Sequence, residues 1–274
     1  MARQMRKLRN LNLVSLAWAS CIVAFLPSLA RAADKKEIIR QAREAYYNVK
    51  AAGLVEFRCQ ASPDWDSIVK AIKPPPADPD QLLPLLRQLH FGVAVGPDGG
   101  AVVSHQFDGA PPSQQMAARL SLMTTGADQV LNGFFQSWTP FVFGSAFPES
   151  NAEYELENAD ELYRLHQKQG SADVVVTMTR EFVITEIAVK SPQLEATIRP
   201  QFSRNNKGYL LSRLGDVYKI GPTAQGEFAM DIRYQDVEGF TLPAAFTANV
   251  TVTGSTTIAG AFEFNFVNYH VTKQ

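Results

Sequence analysis

The sequence predicts an α+β protein in which a curved antiparallel β-sheet carries helices over its concave apolar face. Apolar and polar residues alternate almost without interruption from 172 to 271, which is the period of strands with one buried face. The turns between these segments are too short for the crossover that parallel strands need. A long apolar stripe with helical spacing precedes the run. Together these features define one sheet and a helix that covers it.

The alternation is clearest in 228–234, where one face is assigned to Phe228, Met230, Ile232 and Tyr234. The same period recurs in 246–252. In 183–189 we assign Val183, Ile187 and Val189 to the buried face, because Glu186 and Lys190 fall on the other parity. Segments 183–189 and 228–234 are therefore predicted to be strands of one sheet whose apolar sides face the same core.

The last strand contains a change of parity. Phe262, Phe264 and Phe266 share one parity, whereas Tyr269 and Val271 take the other. One extra residue in a strand restores both sets to the same face, so the sequence predicts a β-bulge near Val267. Bulges increase local twist, which indicates a strongly curved sheet.

Further elements follow from local signals. Asp64 is a typical N-cap, and Pro140 is expected to stop the long helix. The predicted elements are helix 36–50, strand 54–60, helix 65–72, a proline-rich surface loop at 73–79, helix 80–89, hairpin 91–95/101–106 and hairpin 154–156/162–166 turning at 158–160.

The long helix has its apolar residues three or four positions apart throughout. They are Met116, Leu120, Met123, Ala127, Val130, Phe134 and Trp138, and an aperiodic apolar segment, 141–148, follows. Ordinary packing of a helix on a sheet explains this stripe. Ligand contact is the alternative, because apolar rings beyond a helix end are unusual unless they meet something.

The first 32 residues have the order of a secretory signal peptide: basic residues, the apolar run 11–29, and Ala30-Arg31-Ala32. We predict cleavage after Ala32, a periplasmic location, and a single mature domain, 33–274, in which the loop 73–79 is an insertion. An uncleaved anchor is the main alternative, and lipid attachment at Cys21 is a weaker one. Only Cys59 remains after cleavage, so no intramolecular disulfide is expected.

Charge and motifs exclude several classes of function. Subtracting the five basic residues of the leader from 26 leaves 21 against 27 acidic ones, a net charge of about −6 that does not favour nucleic acid. No nucleophile elbow, phosphate loop or paired-cysteine motif is present. His90, His105, His166 and His270 lie singly along the chain, unlike most metal sites. We therefore expect no enzyme, no metal and no cofactor.

A curved sheet under helices can enclose an apolar cavity, and each methylene buried there contributes about 0.8 kcal/mol. This favours binding of lipid acyl chains. The residues predicted to line the cavity are Met123, Phe134, Trp138, Phe141, Phe143, Phe147, Phe228, Met230, Ile232 and Tyr234.

Two segments, ITEIAVKSP at 184–192 and IRYQDVEGFTLP at 232–243, resemble the LolA-like family of periplasmic lipoprotein carriers. The resemblance implies an unclosed half-barrel with helices as a lid, a monomer that carries lipid or a lipoprotein, and a membrane-associated partner protein. The loop 74–79 departs from that pattern, and no position here matches the carriers' lid-fastening arginine. The alternative is a regulatory module resembling RseB, which senses lipid or protein and signals to a partner.

Overall fold

The computed structural model describes residues 34–71, 78–109, 111, 113–149, 151–220, 224–253 and 257–274. The predicted leader, 1–32, lies outside the described residues, as does most of the proline-rich loop. The chain divides into two units between residues 42 and 43, and the structure describes residues 34–42 of the first. The described part of the first unit is helical, and this helix, α1 (residues 34–44), ends just inside the second unit.

The described residues of the second unit form one 12-stranded antiparallel sheet and three further helices. The strands are β1 (Leu54–Pro63), β2 (Leu89–Val95), β3 (Ala101–Phe107), β4 (Tyr154–Ala159), β5 (Leu162–Gln169), β6 (Ala172–Thr179), β7 (Ile184–Lys190), β8 (Leu194–Asn205), β9 (Gly208–Ile220), β10 (Ala224–Val237), β11 (Phe240–Thr253) and β12 (Thr257–Lys273). The helices are α2 (Trp65–Ala71), α3 (Pro79–Leu86) and α4 (Gln114–Val142).

The strand order is β3-β2-β1-β12-β11-β10-β9-β8-β7-β6-β5-β4. Each strand from β4 to β12 pairs with its sequence neighbour, and only β1 reaches across the chain, to β12. Because β3 and β4 are the two edges, the sheet formed by the described strands is not closed. The predicted α+β fold, a curved antiparallel half-barrel with helices on its apolar face, is confirmed.

The buried parity of β10 is confirmed: Met230 and Ile232 are buried and lie opposite Ala248 and Phe246 of β11. The predicted inward parity of β7 agrees with the structure at Ile187 and Val189 but not at Val183. Ile187 and Val189 pair with buried residues of β6, but the next buried position is Ile184, opposite Met178, and Val183 precedes the strand. A register shift between these pairs leaves Thr185 of β7 as an extra residue, which moves the buried parity from Val183 to Ile184, and the sequence pattern does not reveal it.

The predicted bulge in β12 is confirmed. Register with β1 shifts between Arg58/His270 and Gln60/Val267, and Asn268 has a φ of 54°. The extra residue brings Tyr269 back to the concave face, where its ring centroid lies 5.6 Å from that of Phe57.

Helix α4 begins at its cap, Ser113, whose hydroxyl accepts a hydrogen bond from the Met116 amide at 3.2 Å. Its buried stripe differs from the predicted one: Thr124, Leu131 and Phe135 are also buried, whereas Met123 and Val130 are only half-buried. The Thr124 hydroxyl can be buried because it donates to the Leu120 carbonyl at 2.8 Å. The buried stripe keeps the average spacing of the predicted one, with Thr124 and Leu131 in place of Met123 and Val130.

The prediction that Pro140 stops the helix is wrong, because Pro140 lies inside the last turn. The helix continues to Val142, and the Phe143 amide then caps it by donating to the Thr139 carbonyl at 2.9 Å. A proline this close to the end removes one backbone hydrogen bond and leaves no long helical segment beyond it to be kinked.

Several ends of helices and strands also differ from the predicted positions. Helix α1 ends at residue 44, not near Lys50, because the chain turns to pair with β9: the Tyr209 amide donates to the Ala45 carbonyl at 2.8 Å. Helix α3 ends at Leu86 because β2 begins at Leu89. Both predicted hairpins are confirmed, although the β4–β5 turn is shorter than predicted, with pairing as far as Ala159 and Leu162.

Candidate functional site

The concave face carries a row of side chains that crosses six neighbouring strands. Register places them directly opposite one another, so all point to the same side of the sheet. We call this set the open row, because each member is only half-buried. The open row consists of Ile187, Ile198, Asp216, Phe228, Val250 and Gly260.

Two residues away along β8, β9, β10 and β11, the same face is buried. Pro200, Leu214, Met230 and Ala248 are directly opposite one another and buried, and we call them the covered row. The limit of burial therefore runs across the strands between the two rows. The apolar face continues past the part of the sheet that is covered.

Helix α4 accounts for the burial beyond the covered row. Phe134 stacks on Phe246 of β11 with ring centroids 4.2 Å apart, and its ring also lies 5.4 Å from that of Phe266 in β12. Trp138 contacts Phe57 of β1 edge-on at 6.3 Å. These rings form a packed cluster in which Phe134 and Trp138 have no exposed surface.

Asp216 is the only charged side chain in the open and covered rows. Its Oδ1 atom is buried and has no hydrogen-bond partner. Burial raises the pKa of this carboxyl from 3.8 to about 6, since low polarity disfavours the charged form. A carboxylate therefore lies unpartnered on an otherwise apolar surface.

Aromatic rings lie against two glycines, Gly226 beside the open row and Gly260 within it. The Tyr218 ring occupies the space that a side chain at Gly226 would need, and the Phe262 ring lies 2.9 Å from the position of a β-carbon at Gly260. Both positions must therefore lack a side chain for the rings to lie against the strands. Burial and the charge of Asp216 raise the pKa of Tyr218, so its hydroxyl stays protonated.

A separate cavity of about 720 Å³ lies near the end of α4, lined by Arg43, Tyr46, Tyr47, Phe141, Phe147 and Lys207 among others. Arg43 donates to the Phe147 carbonyl at 3.2 Å and to that of Pro148. The Tyr46 hydroxyl donates to the Phe182 carbonyl and accepts from the Ile184 amide, both at 2.8 Å. Arg43 and Tyr46 at this cavity are thus hydrogen-bonded within the protein.

The structure distributes the ten predicted site residues over four places. Phe134, Trp138 and Phe143 belong to the aromatic cluster, and Met123 is half-buried on α4. Phe141 and Phe147 line the 720 Å³ cavity. The four residues of β10 lie along the concave face, with Phe228 in the open row and Met230 in the covered row; the other two, Ile232 and Tyr234, are closer to α4.

Sequence reasoning missed Ile198, Asp216 and Val250, because their common row is created by the register of strands distant in sequence. One signal was available for Asp216. It takes the parity of Leu214 and Tyr218, so a charge falls where the strand pattern requires an apolar residue.

Other reactive groups are held in structural roles. Cys59 is buried in β1, and burial raises the pKa of its thiol to about 12, which suppresses the reactive thiolate. His90 and His105 contact Asp108 and Asp128 at 2.7 and 2.9 Å. Among the described residues, no group of three or more His, Cys, Asp or Glu side chains is placed to hold a metal ion.

No family model, no curated protein and no solved structure matches this chain. Function is therefore argued from the geometry of the site. Within the described ranges, no helix has both the length and the apolar character needed to cross a membrane.

Proposed function

We propose that this protein binds lipid or lipidated protein in the periplasm and carries it with an acyl chain held against the open row. The observation that carries the proposal is the row itself: a half-exposed, mainly apolar strip on the concave face of β7 to β12. Most exposed apolar residues are scattered singly, whereas a contiguous strip indicates a binding surface.

The dimensions of the strip suit a single extended chain. Six strands at a spacing of about 4.8 Å give a strip roughly 24 Å long. Each methylene removed from water contributes about 0.8 kcal/mol, which is offset in part by the cost of association and of ordering the chain. Several contacting methylenes suffice for reversible binding, which a carrier requires.

Two expectations from the sequence support a carrier in particular. The leader predicts export, and the segments at 184–192 and 232–243 resemble LolA-like proteins. Neither names the lipid, so the proposal is restricted to the acyl chain that lipids and lipoproteins share.

Titration of the delipidated mature protein with a fluorescent fatty alcohol tests the proposal. We expect saturable binding, at least tenfold weaker in Val250→Glu, which places a charge in the open row. Thr251→Glu is the matched control, because Thr251 is the next residue of β11 and faces the other side. Absence of saturable binding, or equal effects of the two variants, contradicts the proposal. A stable protein partner without lipid would then support the regulatory alternative.

A further inference from the structure

We propose that Asp216 recognises the polar head of the ligand, and that the site prefers an amphiphile whose head is a hydrogen-bond-donating cation, such as a primary ammonium group. This inference rests on the proposed function, because it requires an acyl or alkyl chain on the open row.

Among the described residues, none is hydrogen-bonded to the buried Oδ1 atom of Asp216. Its cross-strand neighbours are Ile198 and Phe228, and along β9 the same parity carries Leu214 and Tyr218. Tyr218 is the only titratable group among these four neighbours, and its raised pKa keeps it neutral. The contacts of Trp138 and Phe141 with this part of the sheet lie at the Leu211 end of β9, five residues from Asp216: Trp138 bonds Tyr234, and Phe141 packs on Phe202, the partner of Leu211. Neither of these α4 side chains carries a charge.

The nearest cations along β9, Arg213 and Lys219, and Arg199 on the neighbouring strand lie on the opposite face of the sheet, and the two arginines are paired with carboxylates. Arg199 contacts Glu186 at 3.3 Å, and Arg213 contacts Asp231 at 3.5 Å. Arg199 pairs in register with Gly215, and Arg213 is of the same parity, so both side chains point away from the Asp216 carboxylate. Asp216 is thus separated from the charge pairs by the sheet itself.

A buried acceptor without a donor is unfavourable, and an incoming donor removes that cost. An ammonium head also neutralises the carboxylate, whereas a fatty-acid carboxylate would add a second negative charge beside it. Charge complementarity therefore selects the cationic head, while the surrounding apolar row takes the chain. The Asp216 carboxyl group, which belongs to a half-buried residue and has an unpartnered Oδ1 atom, is therefore where we place the head.

Displacement of the bound fluorescent fatty alcohol by chain-matched hexadecylamine, hexadecanol and hexadecanoate tests this assignment. At about pH 8 we expect hexadecylamine to bind about tenfold more tightly than hexadecanol, as one charge-assisted hydrogen bond predicts, and hexadecanoate to bind least well. Asp216→Asn should abolish the preference for the amine. Asp231→Asn, which alters a carboxylate on the opposite face of β10, should retain it.

The pH dependence of the parent protein gives a second readout that needs no variant. Protonation of Asp216 should remove the preference for the amine over the alcohol as the pH falls from about 8 to about 5, on either side of its pKa. Equal binding of amine and alcohol at about pH 8, or a preference that Asp216→Asn leaves intact, overturns the inference. If the fluorescent fatty alcohol itself does not bind, the proposed function has failed; if it binds without regard to head group, only this inference has failed.

Discussion

The indole Nε1–H of Trp138 donates a hydrogen bond to the Tyr234 hydroxyl at 3.0 Å, and that hydroxyl donates in turn to the Leu211 carbonyl at 2.5 Å. Two side chains thereby connect α4 to β10 and β9. Burial raises the pKa of Tyr234, so the phenol remains a donor. This chain of hydrogen bonds fixes the helix over the part of the sheet that it covers.

Trp138→Phe should lower the free energy of unfolding by about 1–2 kcal/mol, because it preserves most of the packing but leaves the Tyr234 hydroxyl without its donor. Denaturant titration measures this loss, with Tyr234→Phe as the complementary variant. If probe affinity falls while stability is unchanged, Trp138 contacts ligand instead of serving only the core.

Met230→Asp should destabilise the protein by about 3–5 kcal/mol, since it places an unpartnered charge at a position with no exposed surface. Ala229→Asp is the matched control, because the neighbouring residue faces the opposite side of β10, and we expect it to cost less than about 1 kcal/mol. Similar denaturant midpoints for the two variants would show that the assigned facing of β10 is wrong.

Asp216→Asn should stabilise the protein at neutral pH, because the folded state holds a poorly solvated carboxylate there. The pKa is raised on folding, from 3.8 to about 6, so the penalty is full above about pH 6 and disappears as both states become protonated below about pH 4. We expect a gain of about 1 kcal/mol, discounted for partial solvation. Chemical denaturation across this pH range checks it; a gain that grows on acidification has the wrong sign.

Export with cleavage after Ala32 predicts a defined N-terminus for the mature protein. N-terminal sequencing of the secreted protein should begin at Ala33, because Ala30-Arg31-Ala32 has the small residues that a signal peptidase requires. Recovery of the intact leader in a membrane fraction would instead establish the anchor.

The regular parts of the fold could be predicted because they follow simple periods. The alternation in β10 and the parity change around Val267 both located buried faces correctly, and the change identified the bulge. In β7 the register shift moved burial from Val183 to Ile184, since nothing in a short half-buried strand distinguishes a bulge from continued alternation.

The open row could not be predicted as a site, for a different reason. Apart from the charge of Asp216, each member fits an ordinary strand pattern, and the six meet only through register across five strand pairs. The residues of α4 that were predicted to line a cavity are mainly aromatic. Two of them, Phe134 and Trp138, belong to the packed cluster instead. Apolar composition alone does not tell a covered face from an open one.

Paramagnetic broadening by a nitroxide-labelled acyl chain tests the central claim most directly, because it reports both binding and its location. We expect the backbone amide resonances of Asp216, Phe228 and Val250 to broaden, whereas those of Phe91 and Val93 in β2 remain sharp. Absence of broadening, or broadening centred on Phe57 of β1 and Phe135 of α4, would contradict the assignment of the acyl chain to the open row.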